Sequence, residues 1–242
     1  MTDTYVCIDL ETTGLEPKQD KIIEIGAARV ERGEIVKTYE TFVNPGRKLS
    51  GRIIELTGIC DEQLSTAPEI DEVLPRILEF IGEDVLLGHS VLFDYSFLKR
   101  AAINRKLKFE KNGIDTLKIA RKYLPELESR SLDFLCRHFC IPHTAHRALA
   151  DVLATVSLYR KLEELFYEKE ETANAETPDK SLFCPKPLIY HAKRDTPVTI
   201  PQKEQLYKLV DKHKLIIDYD IEKLTRSEAS RKIDRILAEY GR

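Results

Sequence analysis

Residues 4–10, TYVCIDL, are apolar at nearly every position, the pattern of a strand buried on both faces. Two more strands are predicted over 21–30, KIIEIGAARV, and 34–43, EIVKTYETFV, joined by a hairpin turn at Glu31, Arg32 and Gly33. The period then changes. After Pro68, apolar residues at Ile70, Val73, Leu74, Ile77, Leu78 and Ile81 recur at helical spacing, and Gly82 ends the run. DVLLGH reads as a short apolar strand, and helices are predicted over 92–105, 116–123, 131–139 and 147–170. Strands followed by alternating helices predict an α/β sandwich.

The pattern fades at ETANAETPDKSLFCPK, residues 171–186, which is polar, carries prolines and has no period. This divides the chain into a main domain over 1–170, a linker over 171–196 and a small helical unit over 197–242. In that unit Pro201 stands near one helix start. Thr225 and Glu228 have capping-box spacing at another, ahead of an apolar stripe of Ala229, Ile233, Ile236, Leu237 and Tyr240.

With 242 residues, 42% hydrophobic and 33% charged, the chain has the make-up of a soluble protein with one sizeable domain and an appendage. No apolar stretch approaches the roughly 18 residues a membrane helix needs, and no signal-peptide pattern opens the chain. Five cysteines without a disulfide framework predict a reducing, cytoplasmic setting. Net charge is −3, with the acidic excess before residue 173, which argues against tight non-specific duplex binding. Cys136, His138, Cys140 and His143 are zinc-ligand types, but Cys136 and Cys140 share the apolar side of a predicted helix, which favours core packing.

Three local patterns carry candidate chemistry. Asp9 and Glu11, in VCIDLETTGL, point to one side of an otherwise apolar strand. Asp94, in LLGHSVLFDYSFL, follows a short strand and opens a helix, with His89 at the strand's C-terminal end. His146 and Asp151, in HRALAD, are five positions apart. They converge only if His146 lies on a lead-in and Asp151 a turn inside a helix starting near 147. Each pattern alone has a plainer reading: a solvated strand end, a helix cap, a surface histidine. Together they place acids among apolar neighbours, where burial is costly unless a cation shares the site. Carboxylate-rich sites suit Mg²⁺ or Mn²⁺.

VCIDLETTGL, GHSVLFDYSFL and HRALAD resemble the three motifs of the DEDDh exonucleases. The likeness covers residues 3–168 and includes FVNPG and TGI. Within that family the chain is similar to the proofreading epsilon subunits of bacterial DNA polymerase III and to the exonuclease domains of Gram-positive replicative polymerases. Ser90 departs from the pattern, which most often has Asn there.

The resemblance implies an RNase H-like fold with a five-stranded mixed sheet whose second strand is antiparallel. It implies that Asp9, Glu11, Asp94 and Asp151 hold two Mg²⁺ or Mn²⁺ ions and that His146 is a general base. Thr12, Thr13, Gly14 and Leu15 are implied as contacts to a terminal nucleotide, with Leu15 under the base. His89 and Phe93 are further candidates on the substrate side. The implied reaction is 3′→5′ hydrolysis of single-stranded or frayed DNA to nucleoside 5′-monophosphates, in proofreading or repair. A related exoribonuclease and an inactive polymerase-binding scaffold are the competing readings. KSLF at 180–183 has the Leu-Phe ending of a sliding-clamp peptide, or else anchors the linker. The expected partners are a DNA 3′ end, with RNA as the alternative, and a polymerase or clamp. No membrane partner is expected.

Overall fold

The computed structural model describes residues 3–167 and 180–241. These fall into two compact units, one within Met1–Pro45 and Leu49–His191, the other within Gly46–Lys48 and Ala192–Arg242.

The first unit is built on β1 (Thr4–Thr12), β2 (Ile22–Glu31) and β3 (Glu34–Phe42), then α1 (Gly51–Thr57), α2 (Asp61–Ser65) and α3 (Ile70–Ile81). β4 (Val85–Gly88), α4 (Val91–Asn104), β5 (Asn112–Asp115), α5 (Thr116–Tyr123), α6 (Leu132–His138) and α7 (Ala148–Phe166) follow, with a short β6 (Lys186–Pro187). The sheet order is β3-β2-β1-β4-β5-β6. β1, β4 and β5 are parallel, while β2 is antiparallel to both of its neighbours.

β1 is apolar from Tyr5 to Ile8 because helices cover both of its faces. Val6, Ile8 and Leu10 join Ile25 and Ala27 against Val73, Leu74 and Ile77 of α3 and Val91, Tyr95 and Leu98 of α4. Tyr5 and Cys7 point the other way, with Ala28 and Val30, toward Val152, Val156 and Tyr159 of α7. Strand alternation carries Asp9 and Glu11 onto the same side as Tyr5 and Cys7, which is the α7 side.

The sheet has six strands, not the expected five. The fifth, NGID, is short and lacks a clear alternation. The sixth comes from the segment read as linker: Lys186 and Pro187 pair with Gly113 and Asn112. Just before it, Phe183 is 1% exposed and packs against the rings of Tyr123, Tyr159 and Tyr167. KSLF is therefore a core anchor of the first unit, and its phenylalanine is not available to a clamp. The remainder of the 171–186 segment, through 179, lies outside the described residues, as do positions 168–170 of the helix expected to reach 170. α1 and α2 are further elements that the periodicity did not predict. Cys140, expected in the core, is exposed.

The second unit pairs α8 (Ile200–His213) with α9 (Arg226–Tyr240) around Val198, Leu206, Leu209, Ile221, Leu224, Ala229, Ile233 and Ile236. Both helices open with a capping box, Thr199 with Gln202 and Thr225 with Glu228. Tyr240, assigned to the stripe, is largely exposed.

Candidate active site

The acids meet where β1 ends. Carboxylate oxygens of Asp9, Glu11 and Asp151 all lie within 4.8 Å of one another. Asp94, in the first turn of α4, reaches the same strand end: its Oδ1 accepts the Leu10 N–H at 3.0 Å, between Asp9 and Glu11 in sequence. α4 starts there because Ser90 takes a left-handed conformation (φ 77°) and its N–H donates to Asp115 Oδ1 at 3.1 Å.

α7 begins at Ala148, so His146 lies on the lead-in and Asp151 one turn inside. The His146 N–H donates to Asp151 Oδ2 at 3.0 Å, and His143 Nε2 donates to the other oxygen. The His146 side chain is exposed at the rim.

Burial, reinforced by Asp94, Asp151, Glu11 and Glu24, holds the Asp9 carboxyl well above the ordinary carboxylate range. Burial, with the charges of Asp151 and Glu24, pushes Glu11 up to about 7. Asp94 is also raised well above its usual value by burial, although the Leu10 N–H pulls the other way. Asp151 is raised by burial against the opposing hydrogen bond from His143. These acids are therefore poorly compensated by the protein itself. Divalent cations fit such a set, because they supply the missing positive charge to hard oxygen donors.

The loop after β1 carries the four residues expected near a terminal nucleotide. Thr12 is buried and its hydroxyl donates to the Gly14 carbonyl at 2.6 Å. The Thr13 hydroxyl bonds Asp20 Oδ1 at 3.2 Å and accepts the Lys21 N–H at 3.0 Å. A Cβ on Gly14 would fall 2.5 Å from the Asp20 carboxylate, so only glycine fits without displacing it. Leu15 projects from this loop, 79% exposed. Phe93 packs against Phe97 with ring centroids 5.0 Å apart. His89 stands apart from the other candidates. Its Nδ1 lies 2.9 Å from the Thr116 hydroxyl and its Nε2 2.8 Å from the Arg130 carbonyl, and burial lowers its pKa. Both ring nitrogens of His89 are therefore engaged within the protein, and a hydrogen bond from either to substrate would replace one of these.

Three residues at the site were not singled out from the sequence as site residues. His143, noted from the sequence only as a zinc-ligand type, contacts Asp151. Glu24, fully buried on β2 beside Glu11, binds Arg147 and the Ala148 N–H. The signal for Glu24 was available: it is an acid inside the apolar run IIEIGAA, the anomaly that marked Asp9.

An RNase H-like sheet with carboxylates gathered at the end of its central strand is an arrangement that suits divalent cations. The chain belongs to the exonuclease family, whose model matches residues 6–159. It is 37% identical, over 97% of its length, to the PolC-type DNA polymerase III of Oceanobacillus iheyensis, and spans 17% of that protein. Among solved structures, exonuclease X in complex with 5′-overhanging duplex DNA is 26% identical, with a TM-score of 0.56 over 68% of this chain and 94% of that one. The nuclease domain of 3'hExo, a DEDDh family member bound to rAMP, shares the fold at 22% identity, with a TM-score of 0.59 over 71% of this chain and 98% of that domain.

Proposed function

We propose that the chain hydrolyses DNA from a single-stranded or frayed 3′ end, releasing nucleoside 5′-monophosphates. The observation that carries this reading is the convergence of Asp9, Glu11 and Asp151 within 4.8 Å, with Asp94 tied to the strand between the first two. In this reading Asp9, Glu11, Asp94 and Asp151 hold two divalent cations, Mg²⁺ or Mn²⁺. When bound, such ions neutralise a phosphodiester, lower the pKa of water and stabilise the leaving oxygen.

The protein's own groups do the rest. His146, exposed at the rim and tethered through its backbone to Asp151, takes the proton of the attacking water and passes it to solvent. The Thr13–Gly14–Leu15 loop receives the terminal nucleotide, with Leu15 free to slide under its base. A paired terminus must first unstack, at a cost of a few kcal/mol, so frayed ends are preferred. Similarity to PolC-type polymerases supports a place beside a replicative polymerase, and a proofreading role.

The test is a panel of 5′-labelled DNA and RNA oligonucleotides digested with Mg²⁺, with Mn²⁺ and with chelator. Stepwise 3′ shortening of DNA that stops with chelator is expected. Equal or faster loss of RNA would shift the substrate to RNA, and internal cuts would refute an end-directed enzyme.

A further inference from the structure

α7 carries Asp151, yet Arg147 at its N-cap makes no side-chain capping bond. The cap comes instead from across the sheet. Glu24 Oε2 on β2 accepts the Ala148 N–H at 3.0 Å. The other oxygen, Oε1, accepts Arg147 Nε at 3.2 Å and Nη2 at 3.0 Å. One fully buried carboxylate thus satisfies an otherwise orphaned helix amide and a guanidinium together. The arginine is steadied further, its guanidinium 5.6 Å from the Phe42 ring centre and 3.6 Å from Glu40. Gly26, two residues beyond Glu24, lets the helix start sit directly on the strand. A Cβ there would fall 2.3 Å from the Ala148 carbonyl carbon.

His146 lies between this anchor and Asp151. Its backbone is left-handed (φ 64°), a conformation that costs a non-glycine residue energy and survives only where neighbours enforce it. On one side its N–H is bound to Asp151, and on the other the next residue is clamped to Glu24. Among the described residues no hydrogen bond to the His146 imidazole is seen, so the restrained backbone, which fixes the direction of its Cα–Cβ bond, is what the protein contributes to placing the ring.

We infer that the Glu24–Arg147 pair is a positioning device that holds the His146 imidazole toward the reacting water. This rests on the reading of His146 as general base. Neither Glu24 nor Arg147 touches substrate in it; both act through the backbone of 146.

Arg147→Met, Arg147→Lys, Glu24→Gln, His146→Ala and the double variant R147M/H146A test this in the full chain. Arg147 is partly exposed, so its variants stay interpretable if the buried Glu24→Gln fails to fold. The readouts are single-turnover cleavage of a 5′-labelled DNA oligonucleotide, KM, and Mn²⁺ occupancy by electron paramagnetic resonance. Arg147→Met should slow the chemical step by on the order of 10²-fold, with KM and Mn²⁺ occupancy little changed. Arg147→Lys should recover part of that loss, and Arg147→Met should add nothing in the His146→Ala background. The inference falls if Arg147→Met keeps full rate where His146→Ala does not. It also falls if the two losses multiply, or if the loss follows from raised KM or lost Mn²⁺. If His146→Ala itself cleaves at the parent rate, the general-base reading fails, a result distinct from the others.

Discussion

Removing metal should make this protein's stability fall as pH rises, and Glu11 sets the size of the effect. Its carboxyl is ordinarily half-ionised at 4.5 and is pushed up to about 7 by burial and by the charges of Asp151 and Glu24. A raised acid holds its proton in the folded state after the unfolded chain has lost it. The penalty is absent below about pH 4.5, grows through the interval, and is complete above about pH 7. A tenfold change in proton affinity corresponds to about 1.4 kcal/mol, so the interval amounts to about 3 kcal/mol, nearer 2 after screening by solvent on its open side. Asp9, Asp94 and Asp151 are displaced the same way and add to it.

Glu11→Gln keeps the shape and removes the charge. In EDTA, urea unfolding followed by circular dichroism should show the parent losing stability between about pH 5 and about pH 8. The variant should have a shallower slope and gain about 2 kcal/mol at the upper end. Mn²⁺ at about 100 times its dissociation constant should return about 2.7 kcal/mol to the parent and much less to the variant. A parent protein whose stability in EDTA is flat over this range, or a variant no more stable near pH 8, would refute the reasoning.

Other outcomes follow from the same geometry. Asp9→Asn, Asp94→Asn and Asp151→Asn should each lower cleavage by at least about 10³-fold, measured by oligonucleotide digestion with the fold checked by circular dichroism. Gly26→Ala forces a Cβ onto the Ala148 backbone and should cost about 3 kcal/mol or more, read from urea midpoints. Ser90→Asn suits the left-handed start of α4 better and should raise stability by about 0.5 kcal/mol, which thermal melting would detect. Phe183→Ala should cost about 3–5 kcal/mol in chemical denaturation, because its ring fills a pocket of three tyrosines.

The central strand was legible because burial on both faces leaves a continuous apolar run, against which Asp9 and Glu11 stand out. Asp94 and Asp151 were legible through helix starts, and the lead-in placement of His146 followed from simple helix geometry. β5 and β6 were not, since four and two residues carry no period to count. Phe183 and Leu188 lie in or beside a polar, proline-bearing stretch, yet single buried side chains fix that stretch to a distant core. Glu24 looked like one charge in a strand. Its meaning depends on Arg147, 123 positions away, and no local pattern reports a pairing at that distance.

The antiparallel pairing of Lys186 and Pro187 has a practical corollary. It covers the outer edge of Asn112 and Gly113, which without it would display bare amide and carbonyl groups beside an apolar interior. A fragment cut back to residue 170 would expose that edge together with the vacated slot of Phe183. Such a preparation should clump through strand addition, whereas one ending at residue 191 keeps its own cover and should stay dispersed.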